Sequence, residues 1–318
     1  MNEKRKPSVD VVMIAYNKER YLDEAIAGVV KQKGDFSLRL IIMDDCSTDR
    51  TAAIARRWQK RYPEMIDYHR NERNLGLQGN YLAAFRLVTA DYMAICDADD
   101  YWFSSRKLAR QVEYMEGHPE CALTFHRVVN YYEATGEKSL SNGGQQADCT
   151  VRELSRSNFI TNLSVVYRRR PVDLRHLPDW ISGDRSPDYA MHMLYAAHGS
   201  IHYFRRPMGV YRKAAGSSWS LTEQFERLNM SLIVRRNLMR EFEGHDDVTC
   251  GLHDAASAIL RSMGRCADTP ERVAYVKRQA EEIGIEVETG GGVAPAAHRG
   301  LLSRIRAALS KAVPVPRP

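Results

Sequence analysis

Four apolar runs, at residues 9–14, 38–43, 66–69 and 92–96, alternate with stretches whose apolar side chains recur at helical spacing. Tyr21, Leu22, Ala25, Ile26, Val29 and Val30 share one helical face after the first run, and Ile54, Ala55 and Trp58 after the second. Leu82, Phe85 and Val88 follow the third, and Leu108, Val112 and Met115 the fourth. A run that is apolar throughout is a strand buried on both faces. Its alternation with amphipathic helices predicts a parallel sheet covered on both sides, in the order β-α-β-α-β-α-β-α. Ser47 or Thr48 is expected to cap the second helix. Ligands of such sheets bind beyond the carboxyl ends of the strands. Two acid clusters fall there: Asp44 with Asp45, and Asp97 with Asp99 and Asp100.

The pattern changes after residue 120. Further strands are expected at 121–129, 162–167 and 201–204, with a helix at 191–197. Leu221, Phe225, Leu228, Leu232, Met239 and Phe242 outline a long amphipathic helix, and two shorter ones follow near 252–263 and 270–283. Residues 289–295, with three consecutive glycines, read as a flexible linker. The expected division is a ligand-binding half at 1–120, a second half of the same domain at 121–220, a helical extension at 221–288, and a linker with a basic tail at 289–318. Six cysteines without C-x-x-C spacing read as reduced thiols of a cytoplasmic protein, not as a zinc ribbon. The charged first seven residues lack the apolar core of a signal peptide, and no apolar stretch is long enough to span a bilayer. The net charge of +6 is spread along the chain and comes with no nucleic-acid motif, so nucleic acid is not an expected partner.

Three carboxylates at Asp97, Asp99 and Asp100 cannot all be buried without a cation. The simplest partner is a hard divalent ion, Mn²⁺ or Mg²⁺, that leaves positions open for a diphosphate. Such an ion would neutralise a departing nucleotide diphosphate. The plainer alternative is a solvated acidic turn favoured by the dipole of the next helix.

Several segments together resemble one family. Val11-Val12-Met13-Ile14-Ala15-Tyr16-Asn17 is similar to the opening strand of family-2 glycosyltransferases of the GT-A fold. Ile41-Ile42-Met43-Asp44-Asp45-Cys46-Ser47-Thr48-Asp49 and Asn74-Leu75-Gly76 with Asn80 match in order, and residues 90–102 resemble the family's D-x-D region. The resemblance covers residues 8–120 well and 160–220 loosely. It implies a mostly parallel, GT-A-like nucleotide-binding sheet, to which the periodicity after residue 220 adds a C-terminal helical extension that carries none of the resemblance. It also implies inverting transfer of a sugar, from a UDP- or TDP-sugar, to a glycan or lipid-linked acceptor in cell-surface polysaccharide synthesis. By the same resemblance Tyr16, Asp44, Asp45 and Asn80 contact the donor. Asp97 and Asp99 lie by the ribose and the metal, and Asp100 is an alternative metal ligand.

Inverting transfer needs a carboxylate to take the acceptor's proton. Asp188, ahead of a helix, matches the place of that base, and Asp184 is the runner-up; the plainer reading of Asp188 is a helix cap. The family's Tyr-Arg segment corresponds to Tyr211-Arg212, but Ala214 stands where a His is usual. That departure leaves the phosphates to Lys213, or leaves a protein that binds a donor without turnover. Trp219 is a candidate shield for the diphosphate. His192 reads better as a core or surface histidine than as an acceptor contact, and Arg168-Arg169-Arg170 better as a solvated charge run than as a phosphate contact. Residues 298–311 form a basic stretch whose Leu301, Leu302, Ile305, Ala308 and Leu309 share a helical face. The two expectations for it are peripheral contact with the inner face of the membrane and a disordered tail. A sugar nucleotidyltransferase would want a glycine-rich loop where Ala15-Tyr16-Asn17-Lys18 stands. A dinucleotide oxidoreductase would want G-x-G-x-x-G there.

Overall fold

The structure is a computed structural model that describes residues 5–183, 187–213 and 222–285. The first half holds the predicted alternation. Strands β1 (Ser8–Ala15), β2 (Ser37–Asp44), β3 (Ile66–Arg70) and β4 (Tyr92–Ile95) are separated by helices α1 (Leu22–Val30), α2 (Thr51–Arg61) and α3 (Gly76–Phe85). The short β5 (Tyr101–Trp102) and α4 (Lys107–Gly117) follow. β1 pairs in parallel with β2 and β4, and β2 with β3. Seven of the eight β1 residues are buried, because helices cover both faces. The core gathers Val11, Met13, Leu40 and Ile42 from the strands, with Leu22, Ile26 and Val112 from the helices.

The second half adds β6 (Cys121–Tyr132), β7 (Lys138–Leu140), β8 (Asp148–Cys149), helix α5 (Val151–Arg156), β9 (Val166–Arg168), α6 (Pro187–Ala196) and β10 (Ser200–Lys213). The strand order is β3-β2-β1-β4-β9-β6-β10-β5, with β7 on β6 and β8 on β10. Chain contacts divide the molecule into one unit of residues 1–151 and 159–217, and another of 152–158 and 218–318. The second unit contains α7 (Gln224–Glu241), α8 (Asp246–Cys266) and α9 (Pro270–Glu282). Thr269 caps α9 by accepting from the Arg272 amide, with Pro270 at the first turn. The Arg272 guanidinium bridges Glu223 at 2.6 and 2.7 Å.

Three sequence expectations differ from the structure. Helix α2 starts at Thr51, past Ser47 and Thr48, which tie two loops together instead: Ser47 Oγ accepts from the Asn17 amide, and the Thr48 amide donates to Asn17 Oδ1. Asp49 takes over at the helix start, accepting from the Thr51 amide at 2.8 Å. The strand expected at 162–167 is a 3-10 turn at Asn162–Ser164 followed by β9. The carbonyls of Leu163, Ser164 and Val165 accept from the side chains of Trp102, Gln111 and Lys107 rather than from a neighbouring strand. The helix expected near 252–263 is longer, spanning all of α8. Asp184, Ala214, Trp219 and the 298–311 tail lie outside the described residues.

Candidate active site

The site is built at the carboxyl ends of β1, β2 and β4. Asn17 and Cys46, just past β1 and β2, both adopt left-handed backbone with φ of 52° and 59°. This is a conformation that Asn tolerates and that turns the chain sharply off a strand end. The turn after β1 leaves Tyr16 exposed and carries Lys18 toward the end of β4.

Asp44 and Asp45 do different work. Asp44 has no exposed surface; it accepts from the Ser47 amide at 2.9 Å and from the Tyr68 hydroxyl at 2.8 Å. Burial and this carboxylate push the Tyr68 hydroxyl well above its usual range. Asp45, 2% exposed, accepts from Asn71 Nδ2 and the Leu75 amide at 2.8 Å, and from the Gly76 amide at 2.9 Å. Gly76 has φ of 75°, which a side chain would strain. Asn80, also buried, donates to the Met43 carbonyl and accepts from Asn71. These three polar groups therefore fasten the loop at 71–76 to the end of β2. Leu75 and Leu77 are left exposed on it.

The acids after β4 are separated by their partners. Asp97 accepts from the Tyr81 hydroxyl and from Asn162 Nδ2. Burial first, then Asp99, push the Asp97 carboxyl up to about 7, against the two hydrogen bonds; Asp188 adds to the push. Asp99 meets Lys18 Nζ at 2.6 Å, and both side chains are about one-quarter exposed (26% and 27%). Asp100 is buried and accepts from the Arg212 amide at 2.9 Å; burial, Asp99 and Asp97 raise its carboxyl well above the usual range. The Arg212 guanidinium donates to the Asp99 carbonyl, pairs with Glu24, and lies over the rings of Tyr21 and Tyr101 at 5.2 and 4.6 Å. One side chain thus braces β10, α1 and the acidic turn together.

Asp188 stands in the first turn of α6 and is part-buried. Its charge reaches Asp97, Tyr81 and His192. The Tyr211 hydroxyl, raised first by burial, feels Asp100, Asp99, Asp188 and Asp97 together. The fold therefore brings Asp188 to the acids after β4 although some ninety positions separate them in sequence. His192 is fully buried, with Nδ1 2.6 Å from the Tyr167 hydroxyl, and burial lowers it to about 4, so it is a neutral core histidine.

Sequence reasoning missed Lys18, Tyr81, Asn162 and the bracing role of Arg212. Lys18 stands four residues after the first apolar run, and its position offered a signal. Asn162 offered none, because its role depends on the 3-10 turn that breaks the expected strand.

The acids fit a cation, though not through the three-carboxylate set expected from sequence. Among the described residues no three acids, histidines or cysteines gather as a ready-made metal cage. Asp97 and Asp100 are occupied by Tyr81, Asn162 and Arg212, which leaves Asp99, held by an ammonium, as the carboxylate at the opening. Burial first, and then the neighbouring acids, raise the proton affinity of Asp97 and Asp100. One carboxylate plus phosphate oxygens is an ordinary way to hold Mg²⁺ or a similar ion.

The family model described as glycosyl transferase family 2 matches residues 10–176, more than half of the chain. An uncharacterized protein of Mycobacterium tuberculosis is 30% identical over 281 residues, covering 86% of this chain and 80% of that protein. Among solved structures, the Staphylococcus aureus TarS fragment in complex with UDP-GlcNAc superposes with a TM-score of 0.63 at 14% identity, over 85% of this chain and 79% of that one. The mannosyltransferase PcManGT of Pyrobaculum calidifontis, in complex with GDP-Man and Mn²⁺, gives 0.56 at 16% identity, over 96% and 87%. These two structures share the fold, a mostly parallel central sheet of the GT-A kind.

Proposed function

The chain belongs to glycosyl transferase family 2, and from that premise we propose that it moves a sugar from a UDP- or TDP-sugar onto a glycan or lipid-linked acceptor, with inversion, in cell-surface polysaccharide synthesis. The observation that carries this reading is the meeting of Asp97, Asp99, Asp100 and Asp188 at one end of the sheet. Tyr16, Leu75 and Leu77 supply exposed apolar surface for a nucleobase. Asp45 holds the loop beneath it; a direct bond from Asp45 to the base would displace one of its three protein donors. Asp44 and Asn80 support that floor from within. Asp97, held by Tyr81 and Asn162, faces the ribose side.

Mn²⁺ or Mg²⁺ would be held by Asp99 and the donor's phosphates, and when bound it supplies neutralisation of the leaving diphosphate. An ion on Asp99 would free Lys18, which with Lys213 would then be available to the phosphates. Arg212 keeps the Asp99 backbone and Asp100 in place throughout. Asp188 accepts the proton of the acceptor hydroxyl as that oxygen bonds to the anomeric carbon and the bond to the diphosphate breaks. Pairing of TarS with UDP-GlcNAc and of PcManGT with GDP-Man and Mn²⁺ supports a metal-dependent nucleotide-sugar donor. No helix among the described residues is long and apolar enough to cross a membrane. We place the protein in the cytoplasm, with residues 298–311 resting on the inner membrane face beside a lipid-carried acceptor.

The test is a panel of UDP-, TDP-, GDP- and CDP-sugars with and without Mn²⁺, followed by release of the nucleotide diphosphate. One donor class should be consumed only with metal present. Tight binding without any release would favour a non-catalytic sugar-nucleotide-binding module.

A further inference from the structure

Of the arginines at 168–170, expected from sequence to be a solvated charge run, Arg168 and Arg169 are part-buried and Arg170 is exposed. They line a cavity of about 390 Å³ together with Arg5, Pro7, Asp91, Tyr92 and Glu116. β9 runs antiparallel to β4, with Arg168 beside Tyr92, and the Arg169 amide donates to the Asp91 carbonyl. The cavity therefore lies at the opposite end of β4 from Asp97. Six residues of extended chain separate the two, about 20 Å at roughly 3.3 Å per residue. It is not part of the donor site, and the inference stands independently of the function proposed above.

The charges in this cavity are unevenly matched. Four arginines face two acids. Asp91 is paired with Arg5 and also accepts from Ser8, and Glu116 accepts from the Tyr92 hydroxyl at 2.5 Å. Arg168 is a fixed wall: it donates to the carbonyls of Met115, His118 and Cys121 and lies 5.4 Å over the Tyr92 ring. Arg169 is anchored by Nε to the Ala90 carbonyl at 2.7 Å, which orients its planar head. Arg170 stands exposed at the rim. Anchored guanidinium groups around a concave, partly desolvated space suit an anion with several oxygens, which they bind in paired hydrogen bonds. The volume is within the range of small-ligand sites, about 300–1,000 Å³.

We propose that this cavity is a second site, which binds a phosphate-bearing anion through Arg169 and Arg170, with Arg168 and Arg5 shaping it. The phosphate belongs either to a soluble phosphate compound or to the headgroup of an anionic lipid, and the experiment separates these sources. Inorganic pyrophosphate is titrated calorimetrically into the full chain, free of divalent ions, for the parent, Arg170→Gln, and Arg169→Gln with Arg170→Gln. Co-sedimentation of the same proteins with phosphatidic acid vesicles and with neutral phosphatidylcholine vesicles forms the second arm. Binding of UDP with Mn²⁺ checks that the donor site and fold survive; Arg170, being exposed, threatens neither.

A soluble ligand predicts pyrophosphate binding that weakens at least tenfold in the double variant and by a smaller factor in Arg170→Gln. A headgroup predicts selective sedimentation with phosphatidic acid that falls by a similar factor in the double variant, whatever pyrophosphate does. The basic tail is common to all three proteins and contributes a constant background. Substitutions that leave both pyrophosphate binding and vesicle binding unchanged overturn the proposal.

Discussion

Replacing Lys18 by methionine removes the ammonium that lies 2.6 Å from Asp99 while keeping an unbranched side chain of similar length. If Asp99 is the carboxylate that receives the metal, Lys18 competes with the ion for it, and its loss should tighten metal binding. Two unit charges about 4 Å apart at an effective dielectric near 20 attract by about 4 kcal/mol, whereas fully exposed pairs return about 0.2–1 kcal/mol. Both partners here are about one-quarter exposed (27% and 26%). An intermediate net value of about 1.4 kcal/mol corresponds to a tenfold change in affinity. The assay is calorimetric titration of Mn²⁺ into the nucleotide-free protein, with Asp99→Asn as the control that should lose the site. Lys18→Met is expected to bind Mn²⁺ about tenfold more tightly than the parent. Equal or weaker binding would refute the competition, and an Asp99→Asn variant that still binds Mn²⁺ as the parent does would remove Asp99 as the receiving ligand.

Asp97 makes stability depend on pH. Its carboxyl is raised from 3.8 to about 7, so the folded protein holds a proton that the unfolded chain has released, and stability falls as pH rises from about 4 through 7. At about 1.4 kcal/mol per unit, and allowing for partial exposure, the fall is about 2–4 kcal/mol. Urea unfolding without divalent ions should show it, and Asp97→Asn should reduce it, leaving the part that the raised Asp100 carboxyl contributes. Arg212→Gln removes the bond to the Asp99 carbonyl and the contacts with two tyrosine rings. It should lower kcat/KM at least tenfold and weaken Mn²⁺ binding, and unchanged kinetics would show that the brace is dispensable. Gly28 faces Trp102, and an added Cβ would lie 2.6 Å from its carbonyl oxygen. Gly28→Ala should therefore cost about 1–3 kcal/mol, read from the denaturation midpoint.

The sheet was legible because β1, β2 and β4 are apolar runs broken by at most one charge, and α1, α2 and α4 each gather their apolar residues on one face. β1, β2 and β4 also end at the residues that matter most, so the acid clusters could be placed without any contact being known. What the sequence concealed depends on pairing across distance. The carbonyls of Leu163, Ser164 and Val165 are claimed by Trp102, Gln111 and Lys107, which turns an apparent strand into a 3-10 turn and delivers Asn162 to Asp97. Lys18 and Asp99 lie 81 positions apart, and no local pattern links them. The three acids of the D-x-D region look alike in sequence, yet tyrosine and asparagine, lysine, and a backbone amide give each a different state. Arg168 reads as one of three equal charges until β9 sets it against three carbonyls.

The central claim is that Asp188 takes the acceptor's proton at a donor site built by the acids after β4. Its most direct measurement is Asp188→Asn, with UDP–Mn²⁺ affinity and turnover of the active donor recorded on the same preparation. Turnover should fall by about 10²–10⁴, the range supplied by a positioned general base, while UDP–Mn²⁺ affinity stays within about twofold of the parent. Turnover close to that of the parent would contradict the assignment, and so would a matching loss of donor affinity.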